Sequence, residues 1–266
     1  MSLLEVTDLN KAFGSVKAAD AISLAVAEHE VVGIIGANGA GKTTFVNMIT
    51  GYQKPDTGRI EYQGRDITLL EPRQITRLGI CRSFQVPQVF LSATVEDNLL
   101  IALGVAEHPR VPFWRKLRTD HLLNEAAVLL NRYRLADYRA QPAHQLPQGV
   151  RKLLDIAMAV VHRPRLLLLD EPTSGVSLDE KFEVMDIVMV ALKEAGVTVL
   201  FVEHDMDIVG RYAKRVLAFY EGLILADGPP EEVLGHERVQ EHVIGRGSAG
   251  GRRPPPDSAP KGGGHA

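Results

Sequence analysis

The sequence predicts an α/β protein: a mainly parallel sheet covered by helices, with a helical lobe set into it. Two observations carry this. Short β-rich runs alternate with longer helix-compatible segments, and between Phe84 and Arg163 the strand signal disappears while helical patterns dominate. In chain order the runs are Leu3 to Val6, Val31 to Ile35, Leu166 to Leu169, Val197 to Val202 and Val216 to Phe219. Such short apolar runs are what strands of a helix-covered parallel sheet require. The helical stretches are Val95 to Ala102, His121 to Tyr133 and Gly149 to His162. Residues 107–118 carry Pro109, Pro112 and the only tryptophan, Trp114, so a structured loop is expected there, with Trp114 packing inside the lobe or meeting a partner. The stretch GRGSAGGRRPPPDSAPKGGGHA, which begins at Gly245, lacks the apolar content for a core. Residues 1–245 are therefore expected to fold, with 84–163 as the inserted lobe and 246–266 as a disordered tail.

Composition narrows the function classes. With 266 residues, 45% hydrophobic and 24% charged, the chain can bury a sizeable core. A formal charge of −3 gives no broad basic footprint, so nucleic acid is not an expected partner. The single cysteine, Cys81, excludes an intrachain disulfide framework and is expected to be a buried structural thiol. The opening residues MSLLEVTDLNKAFG carry no basic region followed by a long apolar stretch, so a secretory leader is not expected. Runs such as LLLLD and VTVLFV fall short of the roughly 20 residues a membrane helix needs, which leaves any membrane role to partners.

Three segments carry chemistry. Val31 to Ile35 leads into GANGAGKTTFVNMI, which places Gly36, Gly41, Lys42 and Thr43 on the pattern G-x-x-x-x-G-K-[ST]. With a buried strand in front and a helix starting near Lys42, the residues Gly36, Ala37, Asn38, Gly39, Ala40, Gly41, Lys42, Thr43 and Thr44 form a predicted cradle for a triphosphate. Backbone amides and the positive end of the helix dipole would hold the anion. Lys42 is expected to bridge the β- and γ-phosphates, and the Thr43 hydroxyl to coordinate magnesium. Downstream, four leucines precede Asp170 and Glu171, putting two carboxylates at the carboxyl end of a buried strand. Asp170 is placed for the magnesium shell and Glu171 to polarise an attacking water; a solvent-facing acidic pair is the alternative. His204 follows VTVLFVE, again at a strand's carboxyl end, where it can bond the γ-phosphate or orient the water and Glu171.

Together, GANGAGKTT, LLLLDEP and FVEHDM resemble the ATPase subunits of ABC transporters, over roughly Leu3 to Gly245. The resemblance implies a P-loop NTPase core, RecA-like, with an antiparallel β portion and an inserted helical subdomain. It implies ATP and Mg2+ as cofactors and ATP hydrolysis coupled to transmembrane transport. Phe13 in NKAFG matches the aromatic that stacks on adenine, with a core position as the alternative. Gln85 in CRSFQVPQVF matches the glutamine that sits near magnesium and the attacking water while its loop contacts the membrane subunit.

Two segments depart from the family pattern. LPQGV, Leu146 to Val150, stands where typical members have L-S-G-G-Q. Pro147 has no hydroxyl to offer the partner's γ-phosphate, so Gly149 and the helix start must supply the amide donors. Gln148 either replaces the lost hydrogen bond or faces solvent. Ser177 stands at the aspartate usual in the dimer-contact loop, and Asp179 is displaced from that role. These departures leave open a degenerate site in an asymmetric dimer.

RLGICRSFQ, VEHDMDIV and LADGPPEEVL further resemble the branched-chain and polar amino acid uptake subfamily. What that implies is a second ABC ATPase subunit in a hetero- or homodimer, two transmembrane permease subunits and an external solute-binding protein. The chain's place would be peripheral, on the cytoplasmic face of the membrane. A lipid or lipopolysaccharide export ATPase, a soluble ABC ATPase, and a regulatory module without turnover are the alternatives.

Overall fold

The computed structural model describes residues 2–83, 88–107 and 117–245. The chain opens with two long strands, β1 (Ser2–Phe13) and β2 (Val16–Ala27), then enters the core through β3 (Val31–Gly36) and α1 (Lys42–Ile49). Strands β4 (Thr57–Tyr62) and β5 (Arg65–Asp66) return to the first pair, and α2 (Pro72–Arg77) leads to β6 (Ile80–Ser83). Helices α3 (Val95–Glu107), α4 (Asp120–Arg132) and α5 (Gln148–Val160) follow. Next come β7 (Leu166–Asp170), α6 (Lys181–Glu194), β8 (Thr198–Val202), α7 (Met206–Tyr212) and β9 (Arg215–Tyr220). The hairpin strand β10 (Leu223–Gly228), α8 (Pro230–Gly235), α9 (Glu237–Val239) and a π-helical turn (Gln240–Ile244) complete the described chain.

The strands form two sheets. One is antiparallel, in the order β2-β1-β4-β5. The other has the order β10-β9-β3-β8-β7-β6 and is parallel except for β10. Alternation along its central strands divides the core in two. Leu167, Leu169, Val199, Phe201, Val216 and Ala218 face one apolar cluster, which includes α3, α4 and α5. Leu166, Leu168, Leu200, Val202, Leu217 and Phe219 face the other, with α1 and the antiparallel sheet. Because both faces of these strands are buried, they appear in the sequence as unbroken apolar runs.

The helical stretches fall where periodicity puts them. Helix α4 buries Leu122, Ala126 and Leu130 along one stripe, and Thr119 caps it by accepting from the Leu122 amide at 3.3 Å. Among the described residues between 88 and 162 there is no strand, only an isolated bridge between Thr94 and Pro142. Helix α3 runs through Glu107, past its expected end at Ala102. Pro109, Pro112, Trp114 and Gln85, and the tail from 246 on, lie outside the described residues. The first strand is twelve residues long, where the apolar pattern marks only Leu3 to Val6, since much of β1 has an exposed face. Cys81 is buried, and burial pushes its thiol up to about 12, which fits a structural role.

Candidate active site

Register brings the motif-bearing strand ends to one edge. Ile34 lies beside Val202, and Val202 beside Asp170, so β3, β8 and β7 terminate together at the carboxyl side of the parallel sheet. Ligands bind at that edge in open α/β sheets.

The loop after β3 is shaped by its glycines. Gly41 has φ 104° and precedes the first turn of α1; a Cβ there would sit 2.1 Å from the Ala18 carbonyl oxygen. A Cβ on Gly36 would sit 2.7 Å from the Phe219 carbonyl oxygen. The loop is also braced from behind: the Gly222 amide donates to Ala40 at 3.0 Å, and the Gly222 carbonyl accepts from the Asp20 amide at 2.9 Å. Phe45 anchors α1 against Phe219, ring centroids 5.3 Å apart.

Lys42 is buried and curls back, donating to the Gly36 and Ala37 carbonyls at 2.7 and 3.0 Å. Burial lowers its pKa, against the opposing charges of Glu171 and Asp170. Thr43 is exposed on the first turn of α1, as are Ala37, Asn38 and Gly39 in the loop. A cavity of about 700 Å³ opens beside the loop, lined by Gly36, Ala37, Asn38, His204, Gln240 and Ile244 among others.

At the end of β7, Asp170 accepts from Arg82, whose other terminal nitrogen donates to Asn47 on α1 at 2.6 Å. Glu171 holds a left-handed backbone, φ 48°, an uncommon conformation for a non-glycine residue. Its amide donates to the Val202 carbonyl at 3.0 Å. Its carboxylate lies 3.0 Å from His204 Nε2.

Three consecutive residues beyond β8 grip the segment that follows Glu171. Glu203, buried, accepts from the Thr173 amide at 2.9 Å and from its hydroxyl at 2.7 Å. His204 meets Glu171, and Asp205 takes the ammonium of Lys181 at the start of α6. Asp205 also caps α7 through the amides of Asp207 and Ile208. Burial by itself would raise the Asp205 carboxyl, but Lys181 and those two amides bring it below the usual range.

The remaining expected residues are placed apart from the loop cavity. Phe13, at the tip of the β1–β2 hairpin, is 50% exposed, which rules out the core alternative, and Lys11 Nζ lies 5.5 Å from its ring centroid. Gln148 and Gly149 open α5 after Pro147. Gln148 packs on Gly175, whose Cβ position is 3.1 Å from Gln148 Nε2, and Gly149 packs on Val184 of α6. The Ser177 hydroxyl donates to Glu180 at 2.8 Å within the chain. Sequence reasoning missed Arg82, Asn47, Glu203, Lys181, Asp205 and the 240–244 wall. Arg82 lay within RLGICRSFQ, Glu203 and Asp205 within FVEHDM, and Asn47 within GANGAGKTTFVNMI; Lys181 and the 240–244 wall lay in none of these segments.

Among the described residues no helix is long and apolar enough to cross a membrane. None of their His, Cys, Asp and Glu side chains group in threes able to hold a metal. Mg2+ keeps several waters and phosphate oxygens and needs few protein ligands. Asp170 and Thr43 suit that donor set.

The family model for ABC transporters matches residues 19–174, more than half of the chain. A probable branched-chain amino acid transport ATP-binding protein LivG of Archaeoglobus fulgidus is 35% identical over 92% of this chain and 96% of its own length. The high-affinity branched-chain amino acid transport ATP-binding proteins LivG of Salmonella typhimurium and BraF of Pseudomonas aeruginosa are each 34% identical over 91% of this chain and 98% of theirs. Among solved structures, a nucleotide-free ATP-binding cassette from an ABC transporter superposes with TM-score 0.79 at 31% identity, covering 91% of this chain and 98% of that one. An ATP-binding cassette in its ADP conformation superposes with TM-score 0.80 at 32% identity and the same coverage. Similarity of this extent, in sequence and in structure alike, assigns the chain to the ABC transporter family as an ATP-binding, ATP-hydrolysing subunit.

Proposed function

We propose that the chain drives import of branched-chain amino acids, or of a similar small solute, by hydrolysing Mg-ATP at the edge formed by β3, β7 and β8. The relatives' transport role supports the solute class. The single observation that carries the mechanism is the 3.0 Å approach of Glu171 and His204 on the edge that also carries the phosphate loop.

In this reading the amides of residues 36–44 and the ammonium of Lys42 hold the phosphates, exchanging the Gly36 and Ala37 carbonyls for phosphate oxygens. Thr43 and Asp170 hold Mg2+, with Gln85 beside it; the ion supplies charge neutralisation at the phosphates. Glu171 orients the attacking water and takes its proton as the γ-phosphate leaves ADP, while His204 fixes the Glu171 carboxylate. Phe13 stacks on the base. Gln148 and Gly149 reach the nucleotide of a second ATPase subunit, and Ser177, bonded to Glu180 in its own chain, leaves that contact weaker than an aspartate would make it.

Residues 84–163 serve as the subdomain that meets two permease subunits, and an external binding protein delivers solute. The subunit works peripherally on the cytoplasmic face of the membrane. The test uses the assembled transporter in vesicles. Glu171→Gln should bind ATP normally and lose most steady-state hydrolysis and solute uptake, while Lys42→Ala weakens ATP binding itself. Turnover by Glu171→Gln at the native rate would remove Glu171 from its role.

A further inference from the structure

Arg82 joins β6 to β7 and α1 at this site through Asp170 and Asn47. It lies opposite Leu168 in the parallel β6–β7 ladder. Asp170 is two residues beyond Leu168, on the same face of the sheet, the face that α1 covers through Asn47. The guanidinium therefore reaches along the sheet to Asp170 with one nitrogen and up to Asn47 with another. Side-chain exposures are 8% for Arg82 and 10% for Asp170, so solvent screens the pair little.

The charges around the phosphate loop nearly balance. Asp170 and Glu171 carry two negative charges; Lys42 and Arg82 carry two positive ones. Lys152, buried in α5, also feels Asp170 and Glu171, but Asp155 is the first carboxylate that acts on it and Glu203 adds to the pull. Without Arg82 the edge would turn negative where a triphosphate must bind.

Resting on the reading that Mg-ATP binds at Asp170, we propose that Arg82 is the built-in counter-ion of this carboxylate. Its charge sets how strongly nucleotide affinity depends on the divalent cation. With Arg82 present, ATP lacking a metal meets an edge at which Lys42 and Arg82 match Asp170 and Glu171 in number. With it removed, the polyanion meets an uncompensated carboxylate, and only the cation can offset the repulsion. The competing view makes Arg82 a mechanical tie between α1, β6 and β7, whose loss loosens the phosphate loop and weakens binding equally with and without metal.

The experiment measures ATP affinity of the full chain by equilibrium dialysis, once in EDTA and once in saturating Mg2+, for the native protein, Arg82→Met and Arg82→Lys. Thermal melting accompanies each. Arg82→Met should weaken binding in EDTA by about tenfold or more and in Mg2+ by less than about threefold, the scale of one unscreened unit charge near a phosphate. Arg82→Lys, which keeps the charge and sheds the fork to Asn47, should hold the EDTA-to-Mg2+ ratio within about threefold of native. A Met variant that weakens both conditions alike, or neither, overturns the proposal. If the Met variant does not fold, Arg82→Gln takes its place: affinity lost mainly in EDTA upholds the charge argument, and an equal loss in both conditions defeats it. A native chain that binds no ATP in either condition removes the functional reading itself and this inference with it.

Discussion

Thr173→Val isolates one rung of the grip on the Glu171 segment. The hydroxyl of Thr173 donates to Glu203 Oε1 at 2.7 Å, and both residues are buried. A hydrogen bond to a buried carboxylate contributes about 1.5–3 kcal/mol, and valine preserves the volume but not the donor. The expected loss is about 2 kcal/mol, or a melting shift of about 4–8 °C for a chain of this size. Glu203→Gln keeps an acceptor for Thr173 but loses its charge, so the two substitutions share one interaction and should couple by about 1 kcal/mol or more in a double-mutant cycle. Turnover should respond as well. Thr173 lies two residues beyond Glu171, and Glu203 directly precedes His204. A loosened rung shifts the 3.0 Å Glu171–His204 pair without touching the nucleotide, so kcat should fall about tenfold with KM for ATP unchanged. Melting curves of the purified chain and ATPase rates of the assembled transporter provide the readouts. Additive effects on stability together with native kcat in both variants would refute the idea that this rung positions the reacting groups.

Two further perturbations follow from the geometry. Gly41→Ala forces a Cβ to within 2.1 Å of the Ala18 carbonyl oxygen at a left-handed φ, so it should destabilise the chain by about 2–4 kcal/mol and abolish tight ATP binding in a nucleotide titration. Asp205→Asn tests the Lys181 contact by pH. A carboxyl held below its ordinary value of 3.8 stabilises the fold above that pH, and the contribution disappears as pH falls through the lowered value. Denaturant unfolding from about pH 7 to about pH 3 should therefore show a lower plateau and a shallower acid limb for the variant than for the native chain. Identical acid limbs would discount the contact.

How much of this was legible in advance depended on where each signal resides. Strands β3, β7, β8 and β9 are buried on both faces, and unbroken apolar runs announced them. The second strand, VKAADAISLAVA, alternates buried and exposed positions only from Ile22 on, and over Val16 to Ala21 alanines and register shifts against β1 leave no period to read. The phosphate loop is a local pattern, with glycines and lysine fixed by backbone constraints within a few residues. Arg82, Lys181 and Glu203 act across 88, 24 and 30 residues, respectively, a separation that hides their partners even where the residue itself sits in a motif, as Arg82 does in RLGICRSFQ and Glu203 in FVEHDM. Their roles became visible only once the register placed β6, β7 and β8 side by side.

The turn at Gly222 touches both the phosphate loop and the antiparallel sheet, through Ala40 on one side and Asp20 on the other. On the proposed reading, that strut ties the hairpin bearing Phe13 to the cradle for the phosphates, so a substitution that disturbs Gly222 would be felt at both ends of the nucleotide at once.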